Sequence, residues 1–186
     1  MKKALLLLGV ALVLGACGGN EDLFVLPRAT PASEVAVRVQ SIEVRDVVVP
    51  AYVADANILV QDADGALRPL GGALWADDPR TGITQALATR LDLGTSATAA
   101  AEPWPLFDGP DLRVQVIVER MIARADGLFE FSGQFAVVSP SGAQRDFLRR
   151  FDITTPHEGA NPQSVADALG RALALLSDQI TASIAR

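Results

Sequence analysis

Hydrophobic and polar residues alternate most clearly in the second half of the chain. Within residues 112–123, Leu112, Val114, Val116 and Val118 alternate with Arg, Gln and other residues, and Phe129, Phe131, Phe135 and Val137 lie on one face opposite Glu130, Ser132 and Gln134. A third strand is predicted over about residues 144–154, after a turn at residues 139–142. A period of two is typical of a strand with one buried face, and Asp126 followed by Gly127 is typical of a hairpin turn. The pattern predicts three consecutive antiparallel strands with one apolar face.

Two segments have helical spacing instead. Asp78 followed by Pro79 is typical of a helix N-terminus, and Gly94 is a suitable stop signal. The second helix is predicted to begin at Asn161 and Pro162. Its apolar positions recur every three or four residues and form one stripe: Val165, Leu169, Leu173, Leu176, Ile180 and Ile184.

The first half of the chain predicts shorter elements. Strands are expected over residues 23–27, 35–44, 57–61 and 66–70, and a long loop over residues 94–110. Pro50 limits residues 46–52 to an edge or a crossing. The predicted fold is a single α+β domain, with an antiparallel meander covered on one side by two amphipathic helices.

The N-terminus resembles a bacterial lipoprotein signal. Lys2 and Lys3 precede an apolar run of about a dozen residues, which ends at Gly15, Ala16 and Cys17. A membrane-spanning helix needs roughly 20 residues, so this run is too short to be one. We expect residues 1–16 to be cleaved and Cys17, the single cysteine, to be lipidated. The alternative is an ordinary secretory signal with a chance cysteine.

The remaining chain divides into a tether and a domain. Residues 17–33 are interpreted as the lipidated cysteine and a tether with a short first strand, and residues 34–186 as the domain. Loss of both lysines makes the net charge two units more negative than the −6 of the full chain. An acidic chain without basic clusters disfavours nucleic-acid binding, and membrane attachment is assigned to the acyl chains. Gly18 lacks the charge of an inner-membrane retention signal, which favours the outer membrane and its periplasmic face.

The sequence contains no recognisable catalytic motif. The single histidine, His157, is expected to be a surface loop residue without partners for a zinc site. Asp62 and Asp64 fit a hairpin turn better than a calcium loop, and Asp77 and Asp78 fit the start of a helix. We expect no enzyme activity, no cofactor other than the covalent lipid and no metal.

Several marks along the chain resemble a known family. They are Val49-Pro50-Ala51-Tyr52, the strand at residues 57–60, and Leu74-Trp75-Ala76-Asp77 before the first helix. Together with the lipobox, the meander and the last helix, they resemble the ABC-type transport auxiliary lipoproteins, the PqiC-like family, over residues 23–186. The second position after Trp75 departs from the family pattern, because Asp77 stands where members usually carry Glu.

The resemblance implies a non-catalytic outer-membrane lipoprotein of an intermembrane lipid transport system. Its expected partners are a mammalian-cell-entry (MCE) domain protein and the associated ABC permease and ATPase; self-association into a homo-oligomer is left open. Two alternatives remain: a periplasmic lipid-binding shuttle or chaperone, which needs an apolar cavity of roughly 300 Å³, and a stand-alone structural lipoprotein.

Three aromatic residues are candidates for a partner interface. Tyr52 and Trp75 carry the resemblance, and Trp104 lies in the proline-rich loop. Aromatic side chains are enriched at interfaces. Core packing is favoured for Trp75, whereas packing and docking are equally open for Trp104.

Overall fold

The computed structural model describes residues 21–27 and 31–185. The predicted signal at residues 1–16, Cys17, and residues 18–20 and 28–30 of the tether lie outside the described residues. Among these residues there are two α-helices, α1 (Pro79–Gly94) and α2 (Pro162–Ile184), and a short 3-10 helix at Ala51–Val53. The strands are β1 (Asp22–Phe24), β2 (Ser41–Val44), β3 (Asn57–Gln61), β4 (Leu67–Trp75), β5 (Thr98–Ala101), β6 (Leu112–Ala123), β7 (Leu128–Val138) and β8 (Phe147–Pro156).

The long strand β6 organises the sheet. One of its edges pairs with β7, which in turn pairs with β8, and both pairings are antiparallel. The other edge pairs with β2 where β6 begins and with β3 where β6 ends. Between these two pairings, Val48 forms an isolated bridge with Ile117. Strand β2 continues to β5, and β3 continues through β4 to β1.

The predicted α+β domain and its three-strand meander are confirmed, but a purely antiparallel sheet is wrong. Strands β2 and β3 run parallel to β6, β5 runs parallel to β2, and β1 runs parallel to β4. The sheet is therefore mixed. Alternation along a strand reports which face is buried, but it carries no information about the direction of a distant neighbour.

Two further element predictions are corrected. The strand expected over residues 35–44 is reduced to β2, with an isolated bridge between Val35 and Thr95. The loop expected over residues 94–110 contains β5, whose sequence Thr-Ala-Ala-Ala has weak intrinsic strand preference. This short strand forms because it pairs with β2 and packs beside α1.

Both helices begin as predicted. Asp78 accepts a hydrogen bond from the Thr81 N–H at 3.0 Å, and Asn161 accepts from the backbone of Gln163 and Ser164. The apolar stripe of α2 is buried against the β7–β8 surface, and α1 packs beside α2. The core between helices and sheet is filled by large side chains that are almost fully buried, among them Phe129, Phe131, Phe135, Leu87, Leu91, Leu169 and Leu176.

The segment after β1 packs across both helices at two glycines. A Cβ atom built on Gly82 of α1 would lie 2.9 Å from the Leu26 side chain, and one on Gly170 of α2 would lie 3.3 Å from Pro27. The absence of side chains there lets the extended segment approach the helices closely. The chain is therefore held against the domain from Asp22 to Pro27, first by strand pairing and then by this packing.

Candidate functional site

The structure corrects the expectation for His157. Its side chain is buried, and its ring nitrogens Nδ1 and Nε2 lie 3.1 Å from the Gly159 carbonyl and 3.0 Å from the Arg124 carbonyl. The histidine therefore joins the loop before α2 to the hairpin that connects β6 and β7. Its loop position could not reveal this, because Arg124 is distant in sequence. Across residues 21–27 and 31–185, no group of three or more His, Cys, Asp or Glu side chains is arranged to hold a metal ion.

The acidic pairs occupy the turn and the helix start that the sequence predicted. Gly65 N–H bonds the Asp62 carbonyl, and Arg68 forms ion pairs with Asp62 and, at 2.9 Å, with Asp64. Because Asp62 and Asp64 are paired with a guanidinium and Asp78 caps α1, these carboxylates have structural roles.

Tyr52 fills a gap along the edge of β6. Its hydroxyl oxygen accepts a hydrogen bond of 3.1 Å from the Met121 N–H, between the bridge at Val48 and the pairing with β3. The half-buried ring lies with Trp75 around a small crevice of about 20 Å³. The structure therefore brings two of the three candidate aromatics together, and it gives Tyr52 a defined hydrogen-bonding role.

We expect Tyr52→Phe to lower the free energy of unfolding by about 1–2 kcal/mol, because it leaves the Met121 N–H without its acceptor. Chemical denaturation would measure the change. The ring itself is retained, so packing around Trp75 should be preserved. Unchanged stability together with lost partner capture would contradict this role and assign the hydroxyl to docking.

Trp75 separates the crevice from a larger apolar groove. This groove, here the α1 groove, lies between the segment after β1 and the first turns of α1, and its volume is about 370 Å³. Trp75 is itself buried and forms part of the wall. The other main contributors are Phe24, Leu26, Pro79, Gly82 and Leu169. Small residues on this face of α1 leave the space open, while Asp77 and Asp78 make one end polar.

Trp104 lies away from the other two aromatics, in the loop between β5 and β6, here the 103–110 loop. Its ring N–H donates a hydrogen bond of 2.7 Å to the Asp108 carbonyl, which closes the loop on itself. The tip then presents Leu106, 55% exposed, and Phe107, whose side chain is fully exposed. Trp104 thus shapes the loop, and Phe107 is its most accessible aromatic.

Carboxylates connect both ends of the 103–110 loop to residues at the two ends of β2. The Glu102 side chain accepts from Arg45 Nε at 2.7 Å and from the Asp46 N–H at 3.1 Å. At the other end, Asp111 Oδ2 accepts from the backbone of Gln40 and Ser41. These bonds hold the exposed tip in one place, which reduces the entropy lost when a partner binds.

These contacts also determine how Glu102 responds to pH. The hydrogen bond from the Asp46 N–H, followed by the interaction with Arg45, holds the pKa of Glu102 below its ordinary value. A carboxyl whose pKa is lower in the folded state stabilises the fold above its unfolded pKa of about 4.3. That stabilisation is lost as the pH falls through the lower folded value.

We therefore expect Glu102→Gln to reduce stability near pH 7 and to flatten the decline of stability below about pH 4. Urea denaturation at a series of pH values would measure both effects. Glu34→Gln is the control, because it makes the same substitution at an exposed glutamate away from the 103–110 loop. If the free energy of unfolding depends on pH in the same way for the wild type and Glu102→Gln, the stabilising role of the Glu102 carboxylate is contradicted.

The sequence interpretation did not include Leu106 and Phe107 among the candidates. Two adjacent large apolar residues between Pro105 and Asp108, within a proline-rich loop, are a signal that could have indicated them. Isolated apolar residues on a surface are ordinary. The informative feature is their place at the tip of a loop that is clamped at both ends.

The 103–110 loop and the N-terminal strand lie toward opposite ends of β6. The loop leads into Leu112, where β6 begins, whereas β1 is joined through β4 and β3 to Ala123, where β6 ends. At about 3.3 Å per residue, the two ends of this strand are on the order of 35 Å apart. A domain attached near β1 would therefore present the loop tip away from its attachment.

The described residues form an α+β domain that carries an apolar groove beside α1 and an exposed loop between β5 and β6. The profile of the family described as ABC-type transport auxiliary lipoprotein component matches residues 24–181. The chain belongs to this family, which confirms the resemblance that the sequence marks suggested. Its members are auxiliary components of transport systems and lipoproteins. No curated protein matches the chain.

Solved structures show the same fold. One, the crystal structure of an uncharacterised protein, has 20% sequence identity and a TM-score of 0.70, with 89% of this chain and 99% of that chain covered. Another, a Xanthomonas campestris protein of the DUF330 family, has 19% identity and a TM-score of 0.66, with 87% and 97% covered. Neither helix in the described part of the chain is long and apolar enough to cross a membrane.

Proposed function

We propose that this protein is a non-catalytic docking component of an ABC-type transport system that moves lipid between the two membranes through an MCE-domain protein. Lipid on Cys17 anchors the domain to the inner leaflet of the outer membrane, facing the periplasm. The observation that carries the proposal is the family match over residues 24–181. The lipoprotein signal that ends at Cys17 supports the anchor.

The arrangement of the domain suits such a role. A lipid-anchored adaptor needs a fixed end at the membrane and an accessible surface at its other end. The segment beginning at Asp22 packs onto the sheet near the end of β6, whereas Leu106 and Phe107 project near its beginning. We assign the MCE-domain partner to the loop tip, because it combines an exposed aromatic with a loop that is already ordered.

Co-purification from detergent-solubilised envelopes tests the docking assignment. We expect the tagged wild-type protein to retain the MCE-domain protein, identified by mass spectrometry, and Phe107→Ser to retain severalfold less. The control is Leu93→Ser, which makes the same change at another exposed large apolar residue, on α1 and outside the loop. Equal retention by both variants would reject the loop tip, and an MCE-domain protein missing from the wild-type sample would reject the transport role.

The anchor has its own test. Radiolabelled palmitate should be incorporated into the wild-type chain and not into Cys17→Ser, and the mature N-terminus should carry the mass of an acylated cysteine. Membrane attachment that persists unchanged in Cys17→Ser would contradict lipid anchoring.

A second candidate function is a lipid-binding shuttle. Large buried side chains fill the core under the sheet, and the α1 groove, with a volume of about 370 Å³, lies at the edge of that core. This reaches the lower size range of small-molecule sites. The observation that favours the candidate is this apolar groove beside the tether.

Native mass spectrometry of the Cys17→Ser protein tests the shuttle. Phospholipid bound at near one-to-one, and lost in Ala86→Phe, whose ring would occupy the α1 groove, would favour it. Thr98→Phe, placed on the exposed edge strand β5, is the control for added bulk. Protein without lipid would reject the shuttle and leave the docking role unaffected.

A further inference from the structure

The outward-facing row of β1 is apolar. Leu23 is 64% exposed and Val25, which also borders the α1 groove, is 73% exposed, whereas Phe24 and Leu26, which alternate with them, are half-buried in the wall of that groove. Alternation along an extended chain places residues 23 and 25 on the same side. This segment therefore shows two branched aliphatic side chains to solvent, although its other face already packs on the domain. We call Leu23 and Val25 the β1 patch.

The distance to the lipid attachment limits where this patch can be. Asp22 lies five residues after Cys17, and an extended chain covers at most about 3.6 Å per residue, or roughly 18 Å in all. An acylated Cys17 at the depth of the lipid headgroups thus keeps β1 within reach of the bilayer surface.

The packing of the chain after β1 makes this restriction act on the whole domain. Strand β1 pairs with β4 through Asp22, Leu23 and Phe24, and Leu26 and Pro27 contact Gly82 and Gly170 of the two helices. The tether consequently reaches the domain at Asp22, and Leu23, Phe24, Leu26 and Pro27 lie against it. The face that carries β1 must stay close to the membrane, whichever way the domain tilts.

From this geometry we propose that the β1 patch rests in the interface of a zwitterionic phospholipid bilayer and sets the orientation of the domain on the membrane. The inference rests on the proposed lipidation of Cys17. Two aliphatic side chains that are held near the bilayer bury more apolar area in the membrane interface than in water, and this burial is favourable. Glu21 and Asp22 flank the patch and the segment 21–27 has no basic residue, so an anionic surface is disfavoured.

This orientation complements the docking assignment. Because β1 connects to the end of β6 and the 103–110 loop precedes its beginning, seating the β1 patch on the bilayer directs Phe107 away from it. Without the patch, the lipid anchor would restrict distance and leave tilt free. The β1 patch therefore adds a rotational restraint to the covalent attachment.

The test uses the full lipidated chain in phosphatidylcholine and phosphatidylethanolamine vesicles. In that protein the Cys17 sulfur is a thioether, so one added cysteine can be labelled selectively with an environment-sensitive fluorophore. Leu23→Cys and Val25→Cys report on the patch, and Leu148→Cys, a 59% exposed position on β8, is the matched control. All three positions are exposed, so the fold should tolerate the label. Mass analysis of the N-terminus is made on the same samples.

We expect brominated lipids to quench the labels at positions 23 and 25 severalfold more than the label at position 148. Equal quenching at the three positions, with Cys17 acylated, would overturn the inference and leave the proposed function standing. In Cys17→Ser without vesicles, the labels at positions 23 and 25 could instead report an apolar environment that increases with protein concentration. That result would overturn the inference and assign the β1 patch to contact with a second copy of the chain. An unacylated Cys17 would instead remove the proposed anchor, and the mass identifies that case.

Discussion

Gly133→Ala is expected to lower the free energy of unfolding by more than about 4 kcal/mol, or to prevent accumulation of folded protein. A Cβ atom at position 133 would lie 2.1 Å from the Ile117 carbonyl oxygen and 3.1 Å from the Glu119 nitrogen. Both are backbone atoms, so no side-chain rotation relieves the overlap. The clash arises where the register of β6 against β7 shifts between Val118 and Arg120.

The neighbouring strands prevent β7 from moving away. Gly133 pairs with Val118 on one side and with Phe151 on the other, in the middle of the meander. Displacing it would break hydrogen bonds on both edges. Gly71→Ala is the control, since nothing lies within 4 Å of a Cβ built there in β4. Denaturation curves or expression yields should separate the two variants clearly; similar stability for both would contradict the close approach.

Phe131→Ala is the second large effect that we expect, a loss of about 3–5 kcal/mol. The Phe131 side chain is fully buried, and its ring lies 5.2 Å from that of Phe151 between centroids. Removing the ring leaves a cavity between the sheet and α2, and the surrounding strands are paired on both sides of β7 and cannot collapse into it. The lost ring contact adds to the lost burial.

Phe107→Ala removes the same ring from an exposed position and is the matched control. Surface substitutions of this kind change stability by roughly 0.5 kcal/mol or less. Thermal or urea denaturation of the two variants would therefore show whether the loss of stability comes from the buried position of the ring or from the loss of a phenylalanine as such. A comparable loss in both would contradict the placement of Phe131 between sheet and helix. The same pair also separates stability from docking, because Phe107 is the residue expected to affect partner capture.

The elements that the sequence predicted well are those whose signals are local. The hairpin at Asp126 and Gly127, the helix start at Asp78 and the apolar stripe of α2 depend on residues within a few positions of each other. The conformation of Gly127, with φ of +80°, is a local requirement of the same kind. For such features one segment carries enough information.

The errors have one common cause, contact between residues that are far apart in the chain. Strand β5 forms on weak intrinsic preference because β2 lies beside it, and His157 is buried because Arg124 faces it. Leu106 and Phe107 became candidates only when their loop was seen to be fixed at Glu102 and Asp111. Neither the amino-acid composition nor the period of the hydrophobic pattern indicates such pairings.

By itself, then, the amino-acid sequence determined the α+β class, the meander, both helix starts and the family, because periodicity, capping and short motifs act over one segment. Only the tertiary structure decided that the sheet is mixed, that β2 and β3 share one edge of β6, and that Tyr52 and Trp75 adjoin one crevice while Trp104 lies elsewhere. The physical reason is that strand direction and neighbours depend on the free energy of the whole packed core, in which a distant segment supplies half of every contact.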